Sequence, residues 1–303
     1  MYFASFLMTY YVVKTGVLYY NNVMKKWIAL LFFISSVAMG DTVSIYFEND
    51  CFVSTDKYYT NGVKLEYSIS NHGFVLGQNM YTPSDIENPS PTDRPYGGYL
   101  YGGYYWTDGD NYLEVDIGVV GPMSGAEATQ KFIHKLIGSQ YPVGWENQIK
   151  NEPTLQGYYK RYFQYSILKK GWIESDIVPS IGAALGNVFI NNSAGMNLRI
   201  GHNLPPVTKQ PIIPSVVKED DYSLYITMGT DNRVVYRNIF LDGNTWRDSS
   251  HVTKKPFVSD LIAGIGASYK GVAVEYNYVY RTKEFVGQDS PAKYGSIQVN
   301  FKF

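Results

Sequence analysis

The sequence predicts an all-β chain: a closed, antiparallel, twelve-stranded β-barrel of the outer-membrane type, with a short helix in a long extracellular loop. Three observations carry this. First, over 294–303 the apolar residues Ile297, Val299, Phe301 and Phe303 alternate with the polar Ser296, Gln298, Asn300 and Lys302. A strand with that period of two has one face in an apolar medium and the other in a polar one. A last strand that stops on an aromatic residue resembles the closing strand of a barrel. Second, Met24-Lys25-Lys26 is a basic start, 27–37 is an apolar run, and Ala38-Met39-Gly40 puts small residues at cleavage-type spacing. That is a secretory signal, too short to span a bilayer as a helix. Third, the 303 residues include 29 Tyr, 15 Phe and 5 Trp, yet the mean hydropathy is −0.20. A lipid-facing barrel gives this combination, because apolar-out residues alternate with polar-in ones and aromatic residues ring both interfaces.

The organisation follows: 1–23 an extension from an upstream start, 24–40 the signal peptide, and 41–303 one transmembrane barrel domain. No segment after the signal has 18 consecutive apolar residues, so no spanning helix is expected there. The net charge of −1 suggests no nucleic-acid partner, and the single Cys51 rules out an internal disulfide and a cysteine-ligated zinc site. Strands are expected near 42–52, 59–70, 96–107, 111–121, 155–169, 172–187, 191–202, 222–231, 233–241, 257–269, 271–283 and 292–303. An even count puts both termini on the periplasmic side. The long connections are 71–95, 122–154 and 203–221. The first falls on the periplasmic side by this count although it is Pro-rich, a tension relieved if 73–81 extends as strand.

The 122–154 connection breaks the β pattern. Ser124 and Glu127 have the spacing of a capping box, 126–137 contains neither Gly nor Pro, and Gly138 stands where a C-terminal cap belongs. The helix so predicted carries an apolar stripe of Phe132, Ile133, Leu136 and Ile137, expected to pack on the barrel wall or rim. Gln130 and His134 lie one turn apart on a shared face, with Lys131 and Lys135 beside them.

Several other residues could carry chemistry. Asn49-Asp50 ends the first strand, where Asp50 offers a hard oxygen ligand to a divalent cation such as Ca²⁺ or simply begins a turn. Lys57-Tyr58-Tyr59-Thr60-Asn61-Gly62 holds the hydroxyl of Thr60 and a pair that also reads as an Asn-Gly hairpin turn. Arg94 could grip a phosphate with two donors or serve as a rim charge. No Gly-x-Ser-x-Gly elbow accompanies these residues, so a serine acyl-enzyme is not expected.

Taken together, Phe47-Glu48-Asn49-Asp50, the 57–62 segment, Arg94-Pro95-Tyr96-Gly97-Gly98, Gly121-Pro122 before the helix, and Gly144-Trp145-Glu146-Asn147-Gln148 resemble the outer-membrane lipid A 3′-O-deacylase family, the LpxR type. The likeness runs from 41 to 303 and is most specific over 47–160. It implies a Ca²⁺-dependent ester hydrolase working like a secreted phospholipase A2, its site between the wall and a loop helix near the outer leaflet. It further implies His134 as general base on water, Gln130, Asn49 and Thr60 as catalytic partners, Asp50 as the metal ligand, and Arg94 and Glu146 as substrate contacts. Lipid A or lipopolysaccharide is the implied substrate, and the protein is expected to be a monomer in the outer membrane. Two positions depart from the pattern: Asp93 where a basic residue is expected before Arg94, and Gln140 where a carboxylate that orients the histidine would stand, leaving Glu146 as a candidate. A non-enzymatic barrel (porin, structural or adhesive) and an outer-membrane phospholipase remain the competing readings.

Overall fold

The computed structural model describes residues 40–53, 57–205, 207 and 222–303, so the expected extension and signal peptide lie outside the described residues. The strands are β1 (Thr42–Asn49), β2 (Tyr58–Ile69), β3 (His72–Thr82), β4 (Gly97–Thr107), β5 (Asn111–Val120), β6 (Glu152–Tyr162), β7 (Tyr165–Lys170), β8 (Ile173–Gly186), β9 (Phe189–His202), β10 (Ser223–Asn238), β11 (Phe257–Tyr269), β12 (Val272–Arg281) and β13 (Ala292–Lys302). Each pairs antiparallel with its chain neighbour, except that β6 and β7 both pair with β8, through Tyr162↔Ser180 and Tyr165↔Ile177. They are one stave interrupted at Phe163-Gln164, so thirteen segments make twelve staves. β13 pairs with both β12 and β1, which closes the barrel. Within β13, Tyr294, Ser296 and Gln298 line the lumen while Ile297 and Val299 face out, as the alternation predicts.

Two strand expectations need correction, and they cancel in the count. Residues 72–82 form a full strand, β3, where a loop was expected beyond the suggested 73–81. Its inward positions include Gly77, where a Cβ would lie 2.3 Å from the ring of Tyr101 on β4. Such glycines make room for neighbouring tyrosine rings and hide the alternation. Conversely, the expected strands 222–231 and 233–241 are one strand, β10, across Asp231-Asn232. That pair reads as a turn, but Asp231 points into the lumen and pairs with Lys160 at 2.8 Å. With β3 restored, the Pro-rich connection 83–96 moves to the rim opposite the termini, and the tension disappears.

The lumen is polar and largely filled. A cavity of about 290 Å³ is lined by residues from all twelve staves, among them Lys64, Glu114, Lys160, Arg233 and Arg281. At the loop end, the one-turn helix Ile239–Asp242 turns Phe240 inward to stack on Tyr81, ring centres 4.1 Å apart. Outward positions are apolar and exposed, as at Ile45, Leu65, Leu76, Ile117 and Leu185. No helix among the described residues is long and apolar enough to cross a membrane.

Candidate active site

On β1, Tyr46 and Glu48 line the lumen, so Ile45, Phe47 and Asn49 face outward. Asn49 pairs with Asn61, Asn61 with Met80, and Met80 with Gly98, giving one outward rung across β1 to β4. Two rungs nearer the termini the same face is Ile45, Leu65 and Leu76, all exposed. The outward surface therefore turns from apolar to polar at the Asn49–Asn61 rung. Polar side chains facing lipid are costly, so this rung calls for a cover.

The loop helix Ala126–Ile137 lies on the Met80–Gly98 end of this rung. It packs on β4 and β3 of the wall. Gly98 lets it approach: a Cβ there would lie 2.1 Å from Ser124 Oγ and 2.3 Å from Ala126 Cβ. Gln78 Nε2 donates to the Ser124 carbonyl at 2.7 Å, and Met80, Ile86, Tyr96, Ala126 and Trp145 form a buried cluster beneath the helix. Gly138 caps the C-terminus in the left-handed conformation, as predicted. The capping box is not formed. Gly125 is the N-cap, Ser124 Oγ donates to the Gly121 carbonyl at 2.6 Å, and Glu127 pairs with Lys131 at 2.6 Å.

The face the helix buries also corrects the expectation. The buried residues are Ala126, Gln130 and His134, while Phe132, Ile133, Leu136 and Ile137 are exposed. The stripe of Ala126, Gln130 and His134 is turned to the wall, and the apolar stripe is turned away from it. Trp145 Nε1 donates to Gln130 Oε1 at 2.8 Å, which fixes the amide orientation. Gln130 is 3% exposed, and its Nε2 has no hydrogen-bond partner among the described residues. Such a buried donor costs roughly 1–3 kcal/mol while unsatisfied. His134 is 6% exposed, and its Nδ1 lies 2.5 Å from the Gln140 carbonyl oxygen. A carbonyl only accepts, so Nδ1 carries the proton and Nε2 is the basic nitrogen of this tautomer.

Asp50 begins a one-turn helix after β1 and is fully buried, its Oδ2 accepting from the Lys57 backbone N–H at 2.7 Å. Thr60 lies in a bulge of β2, its Oγ1 2.7 Å from Thr82 Oγ1. Asn61-Gly62 is strand, not turn. Thr82 lies one residue beyond the 73–81 stretch that the sequence suggests as strand. Trp145 was visible only as part of a motif, and its position beside Glu146 gave no hint of its bond to Gln130.

Arg94 is not brought to this pocket. It is buried, ion-paired with Glu284 at 3.3 Å and placed over the Tyr81 ring, so its charge is engaged on the lumen side. Asp93 staples its own loop, accepting from Ser84 N at 2.6 Å and from Arg94 N at 2.7 Å. Glu146 is exposed, and the partner of His134 Nδ1 is instead the main chain of Gln140, whose side chain donates to Glu87 at 3.0 Å. Among the described residues no cluster of three or more His, Cys, Asp or Glu could hold a metal ion. A cation here would rest on one carboxylate, Asp50, with neutral oxygens such as those of Asn49 and Thr60, an all-oxygen set that suits a hard ion such as Ca²⁺.

Gly98→Val tests the helix seat. Overpacking of this kind costs roughly 1–3 kcal/mol. The barrel should still fold and shift on heating in gel mobility, while the helix becomes more accessible to protease than in the wild type. Unchanged protease accessibility would show that Gly98 does not set the approach.

The LpxR family profile, described as outer membrane protein LpxR, matches residues 27–303. Among solved structures, LpxR from Salmonella typhimurium superposes with a TM-score of 0.74 at 22% identity, covering 86% of this chain and 100% of that one. The β domain of the Bordetella autotransporter BrkA gives a TM-score of 0.41 at 11% identity, covering 87% of this chain and 99% of that one. No curated protein matches the chain in sequence.

Proposed function

The chain belongs to the LpxR family of outer membrane proteins and is an integral outer-membrane barrel, and from that premise we propose that it is a lipid A deacylase that hydrolyses the 3′-linked ester acyl chains in the outer leaflet. The observation that carries this is the buried pair of Gln130 and His134 on a helix seated on the outward side of the wall, at the Gly98 end of the rung that begins at Asn49. An aqueous pore has no use for a histidine and an unsatisfied amide on its lipid side.

Nε2 of His134 takes a proton from water as the water oxygen bonds to the ester carbonyl carbon. The same nitrogen then returns the proton to the leaving sugar oxygen as the C–O bond breaks. The Gln140 carbonyl holds the ring in the required tautomer throughout. Gln130 Nε2–H donates to the water or to the developing oxyanion, held in place by Trp145. Asp50, with Asn49 and Thr60, would hold Ca²⁺, which supplies positive charge against the ester carbonyl when bound. Arg94 is held on the lumen side by its pair with Glu284, so a role as phosphate contact would require that pair to open.

Mass spectrometry of lipid A from membranes carrying the protein should show loss of the 3′-linked acyl chains, and chelation of Ca²⁺ should prevent it. Unaltered lipid A with folded protein and Ca²⁺ present would overturn the reading. Shortened phospholipids in the same extracts would favour a phospholipase. Trp145→Phe removes the donor that fixes Gln130 and should lower kcat by roughly tenfold with a smaller effect on KM, measured as fatty-acid release.

A further inference from the structure

The loop helix has three sides. At about 100° of turn per residue, Ala126, Gln130 and His134 form the buried stripe; Phe132, Ile133, Leu136 and Ile137 centre roughly 90° to one side of it, and Glu127, Lys131 and Lys135 roughly 100° to the other. The apolar flank is bare: Leu136 is 70% exposed, Phe132 65% and Ile137 60%. Met123 before the helix and Tyr141 after it are exposed as well, at 69% and 60%. No described residue covers this flank.

We propose that the apolar flank is an interfacial anchor, immersed in the acyl layer of the outer leaflet, with the lysine flank at the level of the head groups. The occupant follows from continuity. The helix lies on the outward side of the wall, and the exposed residues of that wall nearer the termini (Ile45, Leu65, Leu76, Leu100) already face lipid. An apolar flank on one side and a charged one on the other is the pattern of a helix lying in a membrane interface. Lys131 and Lys135 can reach anionic phosphates while their stems lie along the surface. The helix then has lipid on one flank and the catalytic stripe on the next, so an acyl chain reaches His134 without leaving the membrane. That last consequence rests on the deacylase reading; the immersion does not.

The test uses the full barrel with its single cysteine removed, Cys51→Ser, and a polarity-sensitive fluorophore on Leu136→Cys or on Lys135→Cys. Each protein is reconstituted in phosphatidylcholine vesicles containing spin-labelled acyl chains, and aqueous iodide serves as the opposing quencher. The label at position 136 should lose its emission to the acyl-chain quencher and resist iodide, and the label at 135 should show the reverse order. Quenching at 136 by iodide equal to that at 135 overturns the proposal. Shielding of 136 from both quenchers also overturns it, because a protein surface would then cover the flank. A second arm uses Phe132→Ser with Leu136→Ser. Deacylation of substrate in bilayers should fall by roughly tenfold, the partition loss of two apolar side chains partly offset by neighbours, while deacylation in detergent micelles is retained. If quenching is as expected but neither wild type nor variant deacylates lipid A, the anchor stands and the enzyme reading fails.

Discussion

His134→Ala is expected to leave a folded barrel in the outer membrane that no longer deacylates lipid A. A positioned general base contributes typically 10²–10⁴-fold, and alanine leaves nothing at that position to take the water proton. The side chain belongs to the loop helix and takes no part in the hydrogen-bond ladders of the staves, so the heat-dependent gel shift of a closed barrel should persist. Gln140→Ala is the companion. The group facing His134 Nδ1 is the main-chain carbonyl of Gln140, not its side chain. Activity should therefore stay within about twofold, since alanine keeps the carbonyl and deletes only an exposed contact to Glu87. If Gln140→Ala were as damaging as His134→Ala, the side chain would be the orienting group and the tautomer argument would fail. Full activity in His134→Ala would remove the histidine from the chemistry altogether.

How much of this was legible beforehand depends on which face of each strand carried the signal. The alternation of β13 and β5 was plain because outward apolar and inward polar residues differ strongly in type. β3 was legible only as a suggested strand over 73–81, because Gly73 and Gly77 on its inward face make room for Tyr105 and Tyr101 of the next strand, a relation between strands that no single-strand pattern records. β10 was split because Asp231-Asn232 favours turns locally, and only Lys160 on another stave explains the aspartate there. The twelve-stave count was right for two compensating reasons.

The site divides the same way. The helix span and its C-cap were readable from Gly and Pro spacing. Gln130 and His134 were readable as a pair, and the glycines of Tyr96-Gly97-Gly98 now have a reason, since Gly98 seats the helix and a Cβ on Gly97 would lie 2.6 Å from the Phe240 ring. The orientation of the helix was misjudged, because an apolar stripe ordinarily packs inward. Where the outside is lipid and the wall is polar, that rule reverses. The pairing of Arg94 was not legible for a related reason: its neighbour across the barrel, Glu284, lies 190 residues away in the sequence.

The second large effect is expected in the lumen. Asp260 is fully buried and directly opposite Asp231 in the β10–β11 pairing. Like charges so placed repel, so each needs its own cation. Asp231 has Lys160; Asp260 has Arg281, Nε to Oδ1 at 2.8 Å, and Arg233, Nη2 to Oδ2 at 2.7 Å. Removing Asp260 as alanine leaves two guanidinium groups in the lumen without their shared carboxylate, and breaking a buried pair in this way costs roughly 3–5 kcal/mol. Urea or thermal unfolding of Asp260→Ala should show a loss of that size. The triple variant Asp260→Leu, Arg233→Met, Arg281→Met should lose less, because no uncompensated charge remains. A loss within about 0.5 kcal/mol for Asp260→Ala would mean that water or Glu284 compensates the arginines. The effect should also reach the outward site. Arg281 lies over the rings of Tyr59 and Tyr294, 5.9 and 5.5 Å from their centres, and Tyr59 donates to Glu48 at 2.5 Å. Glu48 immediately precedes Asn49, and Tyr59 precedes Thr60. Consecutive strand residues point to opposite faces, so the lumen network holds Glu48 next to the outward Asn49, and Tyr59 at the bulge that leads to Asn61. Asp260→Ala should therefore lower activity at temperatures well below its unfolding midpoint, whereas a purely global destabilisation would leave activity intact until the barrel opens.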